Sequence, residues 1–521
     1  MKTINRRSFC AGAAILGGSF ALAGCSGTAS KQADEEKPKG EIIETDIAVI
    51  GSGLAGEACA LAAAQNGAKV VLVERSPSLG ISFQTSKGNV SIYQGVENEE
   101  SWQFVSETTD TMDEFLVRFK KATETGKVDA PYPDYDRVKA LMQASCETVN
   151  WVEKTGIDFI QSFTKEKVGT DTVWPDTSAD ASKAAGQLIT EKMTAALEDA
   201  GVEILLEHEA TELVTEDGKV TGVVLQSNGK TKTVAAKATV LACGGFGGSV
   251  DYLNKFVPSV EKIGFQYLGN AMNTGDGITM GKAVGAALYD NCWVIPFNIM
   301  PSRKLTEVDP SFATLVDMSM STKRLEGGGV ASKMLVDAQG KRFVNEVAMR
   351  DVRAEGILAQ GGLVYAIYNQ EVADRLNLEE KFADVYARCL EDGVFFKADT
   401  LEEVAEHYGI NAENLVETMD KYNEGIENNT DEFGRTTRMV TMKEGPWFIL
   451  EGVVSVHHTM GGVEINENAE VLDTKGNVMP GLFAAGEVTG SVHGNNRVGT
   501  CAIADITVFG RIAGRNAAAA E

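Results

Sequence analysis

The chain has 521 residues, with 48 Lys+Arg against 74 Asp+Glu and a formal charge of −26. Apolar residues make up 43%, enough for a buried core, which excludes general disorder; the net negative charge argues against a surface for DNA, RNA or anionic lipid. Eight cysteines do not make a disulfide-framed scaffold at this length, and at roughly 150 residues per domain the chain suggests about three domains, or one large domain carrying an insertion.

Met1 to Cys25 reads as an export signal. Lys2, Arg6 and Arg7 form the charged start, and Ala11 to Ala23 is an apolar run of 13 residues, too short for a stable bilayer anchor. Arg6-Arg7 followed by Ser8-Phe9 has the form of a twin-arginine signal. Leu22-Ala23-Gly24-Cys25 has the form of a lipobox, whose cleavage leaves Cys25 as the lipidated first residue. The expectation is an extracytoplasmic lipoprotein that touches the membrane through its lipid anchor alone. Residues 26–43, polar and aperiodic over Ser26 to Gly40, read as a flexible tether.

Asp46 to Ile50 is a strand-like apolar run that enters Gly51-Ser52-Gly53-Leu54-Ala55-Gly56. An alanine-rich helix is predicted over Glu57 to Asn66, stopped by Gly67, and a second strand over Lys69 to Val73 ends at Glu74. This is a βαβ unit carrying GxGxxG. Gly51 permits the tight turn, Gly53 lets backbone approach a pyrophosphate, and Gly56 lets helix pack on strand. The helix N-terminus offers N–H groups and positive dipole to phosphates, and Glu74 is placed to accept from ribose hydroxyls. At this point FAD and NAD are both open.

Further along, Ser101 to Gly156 reads as helical excursions broken at Tyr132-Pro133, and Gln187 to Ala200 as a helix with Leu188, Met193, Ala196 and Leu197 on one face. Glu203 to Leu206, Ala210 to Val214 and Lys219 to Gln226 read as a small meander. Ala238 to Gly248 is a strand running into a glycine turn. Leu401 to His407 and Ala412 to Tyr422 read as amphipathic helices, and Gly481 to Glu487 as a late strand ending in an acid. A sheet rejoined from three distant segments resembles the two-dinucleotide-binding flavoproteins, in which the Gly486-Glu487 pair holds the ribityl chain of FAD. NAD-only enzymes do not need the late return.

Three stretches of the C-terminal third resemble the soluble fumarate reductase flavoproteins, a group that includes urocanate reductase and related enoate reductases. They are Gly340 to Asp351 (GKRFVNEVAMRD), Val456 to Val463 (VHHTMGGV) and Gly486 to Asp505 (GEVTGSVHGNNRVGTCAIAD). Asn273 to Gly277 (NTGDG) matches a flavin-side loop of the group. The resemblance implies an α/β fold: a Rossmann-like FAD domain over 44–290 and 453–521, with an α+β capping domain inserted over 291–452. It implies non-covalent FAD. Its binding residues would be Gly51, Gly53, Leu54, Ala55, Gly56, Glu74, Arg75, Ser82, Gly88, Ala210, Gly244, Thr274, Gly275, Asp276, Gly486, Glu487, Arg497, Cys501, Ala502 and Ile503.

Reducing an activated C=C bond needs a hydride at the β carbon and a proton at the α carbon, with positive charge steadying the carboxylate. By resemblance, flavin N5 gives the hydride, Arg350 is the acid, and Glu326 is its relay carboxylate. An arginine can act so only with a relay and close positioning. The relay's outer arginine falls on Gly329, so Arg324, Arg353, Lys333 or water would substitute. His457 and Arg497 match the pair that grips a substrate carboxylate. Phe297 and Leu325 stand where the group has a histidine and a threonine for a second carboxylate. A dicarboxylate would leave one charge unpaired there, costing several kcal/mol. Trp293, Phe297, Leu325 and Met349 would instead receive an aryl or alkyl tail, or simply join the core.

The expected activity is reduction of an α,β-unsaturated monocarboxylate of acrylate or cinnamate type as a respiratory acceptor. Fumarate reduction, a ketosteroid-type flavin dehydrogenase and a non-catalytic flavin electron shuttle remain alternatives. No HExxH or CxxCH pattern occurs, so no catalytic metal is expected. Electrons are expected from a membrane cytochrome or quinol-linked protein, with no nucleic-acid partner.

Overall fold

The structure is a computed structural model. It describes residues 40–84, 86, 90–93, 111–123, 134–165, 170–178, 183–256, 266–267, 269–289, 293–301, 333–348, 350–376, 387, 390–391, 393, 396–436, 439–490, 492–493, 497 and 501–520. Cys25, Gly88, Leu325, Glu326 and Met349 lie outside them. So do the side chains of Trp293, Phe297, Arg350 and His457, whose backbones are described.

In chain order the strands are β1 (Glu41–Ile50), β2 (Val70–Val73), β3 (Val90–Ile92), β4 (Phe159–Lys165), β5 (Thr170–Pro175), β6 (Glu203–Leu205), β7 (Glu209–Glu216), β8 (Lys219–Ser227), β9 (Lys230–Leu241), β10 (Gln266–Tyr267), β11 (Trp293–Pro301), β12 (Met334–Val336), β13 (Leu363–Asn369), β14 (Phe396–Ala398), β15 (Trp447–Met460), β16 (Glu470–Leu472) and β17 (Val478–Ala484). The helices are α1 (Leu54–Gln65), α2 (Met112–Thr123), α3 (Tyr135–Gln143), α4 (Ser145–Glu153), α5 (Ala185–Asp199), α6 (Val250–Phe256), α7 (Asp276–Ala283), α8 (Arg350–Ala359), α9 (Gln370–Leu376), α10 (Leu401–Tyr408), α11 (Ala412–Asn428) and α12 (Cys501–Ala519).

The main sheet runs β16-β17-β9-β1-β2-β6, with β7 and β8 hairpinned beside β9. Its central pairs are parallel: β17 with β9, β9 with β1, β1 with β2, and β2 with β6. Ile47 to Ile50 and Val70 to Val73 are buried at every position, as expected of strands covered on both faces. Helices α1 and α12 pack together on this sheet. A Cβ at Gly510 would meet the Ala55 carbonyl oxygen at 2.5 Å, and one at Gly514 would fall on the carbonyl of Cys59. Two glycines one turn apart therefore bring the α12 backbone against α1, which sets the start of α12 relative to the glycine turn.

Local reading and structure part company where pairing is long-range. β1 starts at Glu41, so three residues expected in the tether pair with Lys232 to Val234 of β9. β6 does not belong to the meander. It lies parallel to β2 through Val71↔Glu203 to Val73↔Leu205, and the meander is β7-β8-β9. On α5 the buried set is Gly186, Ile189, Thr190, Met193 and Leu197, with Leu188 and Ala196 only half-buried. Helix α1 begins three residues before the predicted start, because Gly53 is its N-cap.

A second sheet runs β10-β15-β13-β12, with β11 and β14 also paired to β15. It has its own core, in which Met334, Leu335, Val364, Ile367, Phe448 and Ile449 are buried. The 14-residue β15 starts in this core and runs through His457, His458 and Thr459 to Met460, beside the first sheet's loops. A buried ion cluster ties the loop before α8 to the segment after α11. Arg342 donates from Nε and Nη2 to both Glu346 oxygens at 2.8 Å, and from Nη1 to Asp431 at 2.7 Å. Arg435 adds a bond to Glu346 at 3.0 Å.

Candidate active site

At the end of β1 the chain turns through Gly51, whose φ is +100°. A Cβ there would sit 2.6 Å from the Ala242 carbonyl oxygen, so the turn is wedged against the loop leaving β9. A Cβ at Gly56 would fall on the Gly51 carbonyl oxygen, whereas one at Gly53 would meet nothing within 4 Å. Gly53 faces open space at the N-terminus of α1, where no side chain caps the helix. That leaves the first-turn N–H groups to an anionic ligand.

A cleft with an empty volume of about 1050 Å³, including its mouth, runs past this turn. Gly51, Gly53, Leu54, Ala55, Glu74, Arg75, Ser82, Ala210, Gly244, Asp276 and Glu487 all line it. Gly56 lies beneath it, and Thr274 and Gly275 stand behind Asp276. Cys501, Ala502 and Ile503 do not line the cleft; Ile506, one turn further along α12, does. The sequence reading also missed Ser52, Ser76, His208, Asn270 and Met272 in the lining. Ser76 had a local signal, a hydroxyl two residues past the strand-end acid.

Glu74 closes the adenosine end. Its Oε2 accepts from Ser52 N at 3.0 Å and Ser52 Oγ at 2.6 Å, and its Oε1 from Ser76 N at 2.8 Å and Ser76 Oγ at 2.6 Å. Burial pushes this carboxyl up, but the four bonds outweigh burial and hold it below the usual carboxylate range. Arg75 bonds Asp276 at 2.8 Å and reaches Thr274 Oγ1 at 3.5 Å. Gly275, with φ +81°, is the N-cap that turns the chain into α7.

The other end is built on Glu487, in the short turn Gly486–Val488. Its Oε1 accepts from Thr459 N at 2.9 Å and Thr459 Oγ1 at 2.8 Å, and its Oε2 lies 3.5 Å from His458 Nδ1. Burial again opposes ionisation, but His458 and the Thr459 bonds hold the carboxyl down to about 2. A Cβ at Gly245 would collide with Thr459 Oγ1 and come within 2.5 Å of Glu487 Oε1. The glycine turn after β9 is therefore moulded onto this pair.

Arg497 is buried, at 8% exposure, in the segment leading to α12. Burial lowers its guanidinium from the ordinary value, and the carboxylates of Glu487 and Asp505 pull it back. His457 occupies a distinctive backbone position. β11 pairs Ile295 with His458 and Pro296 with Val456, so β15 inserts His457 as the extra residue of a bulge. Bulges re-aim a side chain and recur beside active sites. Phe297 pairs with Ser455 on the same ladder. Arg350 opens α8, four residues after the Glu346 held in the ion cluster.

The residues present fit a dinucleotide: a glycine-walled anion cradle, a carboxylate at the end of the second strand, and a second buried carboxylate, all lining one cleft. The comparisons agree. Residues 46–503 match the sequence profile of the FAD binding domain family. The chain is 30% identical to the NADH:acrylate oxidoreductase of Vibrio harveyi over 91% of its own length, spanning about half (50%) of that protein. It is 31% identical to a fumarate reductase (cytochrome) of Shewanella frigidimarina, covering 91% of this chain and 77% of the other. Among solved structures it is similar to the open conformation of a flavocytochrome c3 fumarate reductase: TM-score 0.70, 30% identity, 91% of this chain and 78% of that one. The match runs from the first parallel strand through the glycine cradle to the Glu487 turn, and the chain belongs to the FAD binding domain family.

Proposed function

We propose that the chain is an FAD-dependent oxidoreductase acting on a CH–CH bond, reducing the C=C bond of an α,β-unsaturated carboxylate. The observation that carries this reading is a buried guanidinium, Arg497, near enough to Glu487 of the cleft to feel its charge, in a chain whose relatives are named for acrylate and fumarate reduction. A cation withdrawn from water beside a redox cofactor's site suits an anionic substrate.

FAD, bound and reduced, supplies the hydride. The cradle of Gly51, Gly53 and Gly56 with the α1 N-terminus would hold its phosphates, Glu74 its ribose, and Glu487 its far end. Arg497 and His457 would grip the substrate carboxylate and draw charge toward the α carbon. Arg350 would deliver the proton there, with Glu326 as its relay. Phe297, Leu325 and Met349 favour a monocarboxylate with an aryl or apolar tail over a dicarboxylate. The test is to reduce the purified protein with a viologen dye and screen enoates for reoxidation of the bleached flavin. Cinnamate-type acids are expected to act fastest; fumarate acting fastest would overturn the tail assignment. Arg350→Lys is expected to lose most turnover while keeping its flavin, and unchanged turnover would end the acid assignment.

The same proposal includes export by the twin-arginine route, anchoring through a lipid on Cys25, and electron supply from a membrane cytochrome or quinol-linked protein. The charged start, the short apolar run and the lipobox support it. Mass analysis of the mature N-terminus tests it: a chain beginning at lipidated Cys25 is expected, and a retained Met1 would remove the anchor. Fast reduction of the purified protein by NADH would remove the need for a membrane donor.

A further inference from the structure

Two side chains that bracket Arg497 in sequence meet in the buried interior. His493 is 5% exposed and Asp505 2%. His493 Nε2 lies 3.2 Å from Asp505 Oδ2. A carboxylate only accepts, so Nε2 carries the proton and donates. The bond joins a residue four positions before Arg497 to the second turn of α12. That helix is itself fixed, because Gly510 and Gly514 bring its backbone against α1. His493, four residues before Arg497, is thus bonded to a helix whose backbone is packed directly on α1.

The contacts continue across the site. The His493 and His458 rings stand 5.5 Å apart, edge to face at 71°. His458 Nδ1 is 3.5 Å from Glu487, and His458 follows the bulge residue His457 on β15. Asp505, His493, His458 and Glu487 therefore form one file of side chains spanning α12, the Arg497 segment, β15 and the Gly486–Val488 turn. His493 Nδ1 and Asp505 Oδ1 are buried with no hydrogen-bond partner among the described residues. Half the polar capacity of this pair is unused, which is unfavourable for folding. A Leu–Phe pair would fill the same interior without that deficit, so the residue types present are explained by what the single bond holds.

Resting on the reading that Arg497 grips a substrate carboxylate, we propose that Asp505, acting through His493, is a positioning residue for Arg497. The pair fixes where the guanidinium stands, so its loss weakens carboxylate binding without removing a reacting group. A displacement of order 1 Å at such a group is enough to cost about a hundredfold in rate, and a partial loosening on the order of tenfold in binding.

The experiment uses the FAD-loaded full chain and two saturated acids as probes, 3-phenylpropanoate and succinate, read by perturbation of the flavin absorbance. Asp505→Ala and His493→Phe are expected to raise the dissociation constant of the better-bound acid about tenfold, with FAD content and melting midpoint near the parent's. Asp505→Asn keeps an acceptor oxygen and is expected to restore most of the affinity. In the enoate assay KM should rise more than kcat falls. If Asp505→Ala fails to fold, His493→Phe and Asp505→Asn carry the test. Arg497→Met separates the two levels of the argument. If it leaves acid binding unchanged, the carboxylate grip itself is wrong. If it abolishes binding while Asp505→Ala and His493→Phe bind as the parent does, the grip stands and the positioning role is overturned.

Discussion

Glu57 makes the sharpest physical prediction. It lies in the first turns of α1, is 0% exposed, and neither carboxylate oxygen has a hydrogen-bond partner among the described residues. Burial pushes its carboxyl well above the ordinary value of 4.5, and the nearby charge of Glu74 adds to the rise. The folded protein therefore keeps a proton that the unfolded chain releases above pH 4.5. A raised acid of this kind costs nothing extra below 4.5, and stability then falls with rising pH until the folded value is reached. The slope is about 1.4 kcal/mol per pH unit. Even when neutral, an unpaired buried carboxyl costs roughly 1–3 kcal/mol. Glu57→Leu removes both contributions and Glu57→Gln only the first. The assay is denaturant unfolding of the FAD-loaded protein from pH 4.5 to 8. Glu57→Leu should be more stable than the parent by about 1–3 kcal/mol at the acid end, with the gap widening as pH rises; Glu57→Gln should show the widening without most of the offset. A gap that stays flat across this range, or a Leu variant less stable than the parent at pH 8, would refute the argument.

Other outcomes follow from the same contacts. Gly56→Ala places a methyl on the Gly51 backbone carbonyl, which cannot give way as a flexible side chain would; bound FAD per chain, read from the absorbance ratio, should fall to under about half the parent's by the loss of helix–turn packing. Glu346→Ala removes the buried carboxylate that Arg342 and Arg435 share, leaving Arg342 only its bond to Asp431 on the acid side, and should destabilise by about 3–5 kcal/mol in denaturant titration. Thr400→Ala, which removes only the capping box with Glu403, should cost about 1 kcal/mol. Glu487 is held down to about 2, so its contribution is present above its ordinary 4.5 and is lost as pH falls through 2. Dialysis against acid should release FAD on that limb, and Glu487→Gln should shift the release profile away from it.

The βαβ unit was legible because everything it needs is local: an apolar run, three glycines, an alanine-rich helix, a second apolar run and an acid. The late Gly486-Glu487 pair and the NTGDG loop were legible as motifs, and the structure brings Glu487 and Asp276 to one cleft; the bond of Arg75 to Asp276 was not read from the sequence. What escaped reading depends on pairing between distant segments. β1 extends back to Glu41 because β9 is long enough to continue the ladder. Glu203 to Leu205 became an edge strand beside β2, since nothing within that short run states its partner. His457 stood out by type, but its bulge exists only in the register with β11. Glu57 looks like an ordinary helix residue until α1 is covered on every side. Ser52 became a hydrogen-bond donor to Glu74 through a turn that only the folded β1–β2 pair creates.

The central claim is that an anionic carboxylate, gripped by Arg497 and His457, presents its double bond to the flavin. Anaerobic stopped-flow reoxidation of dye-reduced protein tests it most directly, comparing a cinnamate-type acid with its own methyl ester. The account predicts rapid return of the flavin absorbance with the acid and little or none with the ester, and loss of that preference in Arg497→Met. Equal rates for acid and ester in the parent protein would contradict it.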